Sequence, residues 1–352
     1  RVTLPDYHAL WRWSIDHPEA FWREVWDDAG VIGTPGARVL VDADRMPGAR
    51  FFPDATLNFA RNLIERRADD DTGDALVFRG EDKVRARVSH AELRATVSRV
   101  ARAFGAMGMK AGDRVAAIVP NMPETLMAML GGAARGAIWS SCSPDFGVQG
   151  VLDRFGQIEP KVLVTVDGYW YNGKALPLGD KIAEIVGKLP TVERVVVIPY
   201  LGGAAGPGDL SPIRGAASWD AFLAPHAAGP IDYAELPFAH PLYILYSSGT
   251  TGVPKCIVHG AGGTLLQHLK EHRLHGDVKR GDRVFYYTTC GWMMWNWLVS
   301  GLAAGATLLL YDGSPFMRAG RVLWDYADEE RMTHFGTSAK YIDALKKIAL
   351  VP

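Results

Sequence analysis

From residue 74 onward the chain alternates short, unbroken apolar runs with longer segments whose apolar positions recur at helical spacing. DALVFRG reads as a strand, VSHAELRATVSRVARAFGAMG as a helix with an alanine and valine face, and RVAAIVP as a buried strand. The helix MPETLMAMLGGAARG, closed by Gly136, the strand AIWSSCSP, the helix FGVQGVLDRFGQIEP and the strand KVLVTVD continue the alternation. DKIAEIVGKLP and RVVVIPY add one more helix and strand. Strands separated by helices of roughly 10–15 residues imply crossover connections and a mostly parallel sheet.

Residues 1–70 lack this rhythm. They are aromatic-rich and end in NFARNLIERRADDD, where helical spacing gives way to a charged loop. Residues 201–231 crowd Gly, Pro and Ala in LGGAAGPGDLSPIRG and LAPHAAGP, which marks a long surface loop or joint. Beyond it PLYILYS reads as a strand, KCIVHGAGG as a short extended piece and TLLQHLKEHRLHGD as a helix, and the alternation resumes through VFYYTT, LVSGLAAG, ATLLLYDG, FMRAGRVLWDYADEERM and THFGTSAKYIDALKKI. The expected organisation is an N-terminal segment (1–70), a first α/β subdomain (71–237) and the start of a second (238–352). The fold class is α/β, two parallel-sheet subdomains flanked by helices. No repeat with a period of roughly 20–50 residues is visible, which excludes solenoids and propellers.

Val284 to Tyr311 carries no charged side chain, and Gly301 and Gly305 stand at the GxxxG spacing that packs membrane helices. Its texture argues for three buried elements instead of one span. VFYYTT favours a strand, Gly291 and Asn296 interrupt GWMMWNW, LVSGLAAG is a short helical piece, and ATLLLY is a second strand entered after Gly305.

At 352 residues there is material for about two domains. Lys+Arg 38 against Asp+Glu 39 gives a net charge of -1, so no overall field draws the chain to nucleic acid or anionic lipid. A hydrophobic fraction of 48% with 22% charged residues excludes wholesale disorder. Cys142, Cys256 and Cys290 form no CxxC pair, so neither a zinc module nor a disulfide framework is expected and a reducing compartment fits. The opening RVTLPDYHALWRWSIDHPEAFW has charges throughout and lacks the apolar run of a secretory signal, which points to the cytoplasm.

The stretch richest in chemistry is YSSGTTGVPK, Tyr246 to Lys255, directly after LYIL. The hydroxyls of Ser247, Ser248, Thr250 and Thr251 and the freedom of Gly249 and Gly252 allow many donors to turn toward one anion, and Lys255 adds a compact positive charge. Phosphate suits such a loop. It is not a Walker A sequence, because Val253 and Pro254 separate Gly252 from the lysine and Cys256 follows it.

This loop resembles the phosphate-loop signature of the adenylate-forming superfamily of acyl-CoA synthetases, luciferases and peptide-synthetase adenylation domains. DYHALWRWSIDHPEAFW, FFPDATLNFARNL, VPNMPETLMAMLGGAARGAIWSSCSPDFG, YNGK, TTCGWMMWNW and LYDGSP are similar to its acetoacetate-activating branch. The resemblance implies a two-step reaction. A carboxylate attacks the α-phosphate of ATP, accompanied by Mg2+, to give an acyl-adenylate and pyrophosphate; CoA then displaces AMP. It implies that Ser247, Ser248, Gly249, Thr250, Thr251, Gly252 and Lys255 hold the phosphates, with Lys255 acting in catalysis. It places Trp292, Met293 and Met294 at the acyl pocket, and Gly173 and Lys174 beside the phosphorylated end of CoA. It also implies that the adenine- and magnesium-binding motif, the ribose-binding aspartate and the small domain with the adenylation lysine lie beyond Pro352, leaving no metal ligand in this chain. Buried aromatic packing for Trp292 and a plain polar turn for YNGK stay open beside these roles, as do another short acid (acetate, propionate) and a non-catalytic nucleotide-binding fragment.

His268, His272 and His275 repeat at i, i+4 and i+7, but without an HExxH arrangement a partly solvated helix face is the expected reading. His259 is expected near nucleotide. Asp69-Asp70-Asp71 and Glu329-Glu330 read as solvated charges.

Overall fold

The computed structural model describes residues 3–247 and 252–350. Its N-terminal segment consists of α1 (Tyr7–Asp16), α2 (Pro18–Asp28) and the two-residue strands β1 (Gly33–Thr34), β2 (Leu40–Val41), β3 (Arg50–Phe51) and β4 (Thr56–Leu57), followed by α3 (Phe59–Ile64). Asp6 caps α1 by accepting from the Ala9 amide at 2.8 Å, and Pro18 opens α2, where a missing N–H costs nothing. Trp26 of α2 packs its indole on Phe52, which in turn meets Phe238.

The α/β region runs through β5 (Asp74–Gly80), β6 (Val84–Ser89), α4 (His90–Ala106), β7 (Arg114–Ile118), α5 (Pro123–Ala134), β8 (Ile138–Cys142), α6 (Val148–Phe155) and β9 (Val162–Val166). It continues with the hairpin β10 (Gly168–Tyr171) and β11 (Lys174–Pro177), then α7 (Gly179–Gly187), β12 (Arg194–Ile198), β13 (Ala216–Ser218), α8 (Trp219–Leu223), β14 (Leu236–Pro237), β15 (Pro241–Ser247) and β16 (Lys255–Gly260). Last come α9 (Ala261–Lys270), β17 (Arg283–Tyr286), α10 (Met293–Ser300), β18 (Thr307–Asp312), α11 (Val322–Glu330), β19 (His334–Gly336) and α12 (Ala339–Lys347).

Two large sheets result. The first has the order β13-β12-β9-β7-β8-β15-β16 and is parallel except for the terminal β15–β16 hairpin. β8 and β9 are buried at every position, as helices on both faces require. The second has the order β19-β17-β18-β5-β6, parallel except for the β5–β6 hairpin. Strand pairing crosses the division expected at 237/238: β15 and β16 complete the first sheet, while β5 and β6, early in the chain, complete the second. Local periodicity identifies a strand but carries no information about a partner more than 200 residues away.

Two local expectations change. Residues 84–89 form β6, so the helix begins only at His90, where Ser89 and Glu92 make a reciprocal capping box. MMWNWLVS is one helix, α10, with Asn296 buried inside it, because packing on three sides outweighs the weak helix preference of asparagine. Val284 to Tyr311 is thus divided among β17, α10, a 3-10 turn and β18; among the described residues no helix is long and apolar enough to cross a membrane.

Asn58 joins three parts of the fold. Its Oδ1 accepts from the Arg61 amide as the cap of α3, and its Nδ2 donates to the carbonyls of Ala133, Ala134 and Ala234 at 3.0–3.2 Å. Replacing it with leucine strands these buried groups, so Asn58→Leu should lower stability by about 2–4 kcal/mol. Chemical denaturation measures this directly; a loss under about 1 kcal/mol would mean that water substitutes for the amide.

Candidate functional site

The carboxyl ends of parallel strands are where an open α/β sheet leaves a crevice for ligands. β8 and β15 are parallel neighbours, so Ser143 just past one and Ser247 at the end of the other lie on the same edge of the first sheet. Ser248, Gly249, Thr250 and Thr251 lie outside the described residues. The two ends of their loop are well placed: Ser247 pairs with Lys255, and Tyr246 with Cys256, in the antiparallel ladder. Directly opposed residues project from the same face, which sets the Ser247 hydroxyl and the exposed Lys255 ammonium side by side at the loop mouth. Gly252 takes a φ of 97°, a conformation that a side chain would strain.

Two residues that the sequence did not single out brace this loop. Gln157, just after α6, donates through Nε2 to the Pro254 carbonyl at 2.8 Å. Arg154 lies over the rings of Phe146 and Tyr246, and the Tyr246 hydroxyl meets Ser140 Oγ at 3.1 Å.

The corner at 290–292 is pinned to the same edge. The Cys290 carbonyl accepts from Ser141 Oγ at 2.7 Å, its Sγ contacts the Pro120 carbonyl, and a Cβ on Gly291 would stand 3.5 Å from the Cys142 Cα. Trp292 occupies the cap position of α10 with 69% of its surface exposed. Met293 is exposed and Met294 half-buried. The neighbouring indoles pack inward: Trp295 is buried and donates to Asn121 Oδ1 at 3.0 Å, and Trp297 donates to Glu271 Oε2 at 3.0 Å.

Between the ends of β8, β17 and β18 and the β10–β11 hairpin lies a cavity of about 420 Å³. Tyr169, Tyr171 and Tyr287, together with Thr288, Asp145 and Asp312, supply much of its wall. Asp312 ends β18 and accepts from the Tyr200 hydroxyl at 3.1 Å. Burial raises its carboxyl to about 7; Glu81 and Asp145 push in the same direction, while the Tyr200 hydrogen bond opposes them. YNGK forms the tip of the hairpin, with Tyr171 paired to Lys174 and Asn172 and Gly173 at φ 51° and 74°, the geometry of a two-residue primed turn. Lys174 is exposed, whereas the Gly173 amide donates to the carboxylate of Glu81.

Comparison with known proteins gives these features a family. Residues 64–350 match the AMP-binding enzymes, and residues 7–63 match the acetyl-coenzyme A synthetase N-terminus. The chain belongs to the AMP-binding enzyme family. Among its relatives are the acetoacetyl-coenzyme A synthetase of Rhizobium meliloti, 59% identical over 99% of this chain and 53% of the relative, and that of Xenopus tropicalis, 44% identical over 100% and 53%. The malonamoyl-CoA synthetase of Penicillium aethiopicum is 42% identical over 99% of this chain and 51% of its own length. The solved acetoacetyl-CoA synthetase of Streptomyces lividans superposes with a TM-score of 0.92 at 46% identity, covering 98% of this chain and 52% of that one. The chain spans about half the length of the curated relatives it matches.

In this AMP-binding chain the loop ends, the 290–294 corner and the YNGK hairpin all stand at strand carboxyl ends, although roughly 35 to 120 residues separate them in sequence. The histidines differ from expectation. His268 and His272 are buried, not solvated, because α9 packs this face under α10. His268 Nδ1 meets Ser300 Oγ and His272 Nε2 meets the Trp297 carbonyl, each at 2.8 Å, and burial lowers them to about 3 and about 4. His275 is exposed, and no cluster of three or more metal-ligating side chains occurs among the described residues. His259 is half-buried against the ring of Tyr243.

The raised carboxyl of Asp312 has a pH signature. Between about pH 4 and 7 the folded state keeps a proton that the unfolded state has released, so this contribution to stability is full below about pH 4 and lost as the pH climbs through 7. Asp312→Asn removes it. The stability of that variant relative to the parent should therefore rise with pH up to about 7 and then level off. Urea midpoints near pH 4.5, 6 and 7.5 test this, and a pH-independent difference would show that the carboxyl titrates normally.

Proposed function

We propose that this chain acts in an acetoacetate–CoA ligase, with ATP, Mg2+ and CoA as cosubstrates. The observation that carries this reading is 59% identity to an acetoacetyl-coenzyme A synthetase along 99% of the chain. The malonamoyl-CoA synthetase relative supports the same substrate class, since malonamate, like acetoacetate, has a carbonyl β to its carboxylate.

In the first step a carboxylate oxygen of acetoacetate bonds to the α-phosphorus of ATP, and the bond to pyrophosphate breaks. Two anions must be held together and in line, so the work is positioning and charge stabilisation. Ser247, Ser248, Thr250 and Thr251, with the amides of Gly249 and Gly252, bind the β- and γ-phosphates. Lys255 offsets charge on the departing pyrophosphate. The magnesium travels with the nucleotide, and no described residue is assigned to it. In the second step the CoA sulfur bonds to the acyl carbon and AMP leaves. Trp292, Met293 and Met294 bound the acyl group, and Lys174 meets the phosphates of CoA. This assigns residues 1–70, 71–237 and 238–352 to an N-terminal segment and two subdomains whose sheets share strands across the boundary. A cytoplasmic location fits a chain with no membrane-spanning helix among its described residues.

Exchange of labelled pyrophosphate into ATP tests the first step. Acetoacetate should support it well above acetate and propionate; equal rates would reassign the substrate, and nucleotide binding without exchange would favour a non-catalytic fragment. Lys255→Ala should slow acetoacetate-dependent exchange roughly 10²-fold, the size expected for one contact to developing charge. An unchanged rate would remove Lys255 from the mechanism. Trp292→Gly should admit longer acids, and continued rejection of them would assign chain-length control elsewhere.

A further inference from the structure

Glu81 stands out as a buried acidic side chain at the edge of the cavity wall. It follows β5, has a left-handed φ of 48° and is only 1% exposed, yet it carries a carboxylate. An isolated charge in that position is costly unless donors surround it. Here the donors are three main-chain amides: Asn172 N and Ser314 N donate to Oε1 at 2.6 and 2.9 Å, and Gly173 N donates to Oε2 at 2.7 Å. The 312–314 turn is shaped around it, because a Cβ on Gly313, at φ 115°, would approach Glu81 Cγ to 2.2 Å.

The consequence falls on the β10–β11 hairpin. Among the described residues these strands pair only with each other, and they have four residues apiece, a size that is marginal without support. The paired amides of the Asn172-Gly173 turn form a concavity suited to an anion. That concavity is already filled by a carboxylate of the same chain, so its amides have no capacity left for a ligand phosphate. What the turn presents outward is Tyr171, which lines the cavity, and the exposed ammonium of Lys174. The base of the hairpin packs on the core through Tyr169 and Trp170, while its tip is joined to the end of β18 through the Glu81 side chain.

We propose that Glu81 is a positioning residue for CoA: its carboxylate latches the Asn172-Gly173 turn to the end of β18 and so holds Tyr171 and Lys174 at the cavity mouth. This rests on the reading that CoA enters beside the hairpin. Glu81→Gln keeps the shape but replaces one acceptor oxygen with a donor that faces an N–H. Gly173→Ala strains the turn and leaves the carboxylate alone, since its Cβ meets open space.

Calorimetric titration of the chain with CoA, together with amide hydrogen exchange, tests the latch. Glu81→Gln, Gly173→Ala and Lys174→Ala should each weaken CoA binding about tenfold, as loss of a charge-assisted contact does. Only the first two should speed exchange across residues 168–177, and exchange in β7, β8 and β9 should stay slow. Parental CoA affinity in Glu81→Gln, or parental protection at Asn172 and Gly173, overturns the latch while leaving the CoA site in place. A parent chain that binds no CoA, or Lys174→Ala with unaltered affinity, defeats the reading of the hairpin as a CoA site and this proposal with it. If Glu81→Gln does not fold, Gly173→Ala decides the question by the same two measurements.

Discussion

The arrangement depends on one pairing: β5, near the start of the α/β region, lies beside β18, which begins more than 200 residues later. Leu76 to Gly80 run in parallel register with Leu308 to Asp312, so the last residues of the two strands arrive together. Burial of both strands makes the register strict, since a shift by one residue would turn every apolar side chain to the opposite face. Because Gly80 opposes Asp312, Glu81 lands beside Gly313 and Ser314, and the hairpin that leans on Glu81 is brought to the same place. The cavity wall is therefore assembled from chain segments that are remote in sequence.

Electrostatics divide this edge into two kinds of surface. The loop between β15 and β16 has Lys255 at its mouth and no acidic residue within it, which suits a polyphosphate. The cavity between the sheets is lined by tyrosines and carboxyls, and burial there raises the Asp312 carboxyl to about 7, so that it is only partly ionised near neutral pH. Of the anion-binding features on this edge, the hairpin turn is satisfied internally. A backbone arrangement that resembles an anion site must therefore be checked for a carboxylate of its own before it is assigned to a ligand.

Much of the fold was legible in the residues. KVLVTVD and RVVVIPY are strands because unbroken β-branched runs of that length have few other uses, and YSSGTTGVPK stood out because hydroxyls, glycines and a terminal lysine coincide. Less legible was VRARVS, whose alternation of small and charged residues suits an edge strand but is masked by the helix that follows. The path of MMWNWLVS was hidden by the poor propensity of asparagine. The spacing of His268 and His272, without an HExxH arrangement, suggests a partly solvated helix face, and nothing local announces that α10 covers them. Gln157, Arg154 and Glu81 had no motif; their parts come from what they touch.

The residues alone determined the succession of elements, their parallel character and the phosphate-suited loop, because periodicity, capping and turn chemistry act over a few neighbouring positions. Tertiary structure alone decided which strands share a sheet, which indoles point inward and which carboxylate occupies the hairpin turn. Those outcomes follow from burial and hydrogen-bond satisfaction between distant segments, and no short stretch of sequence contains both partners.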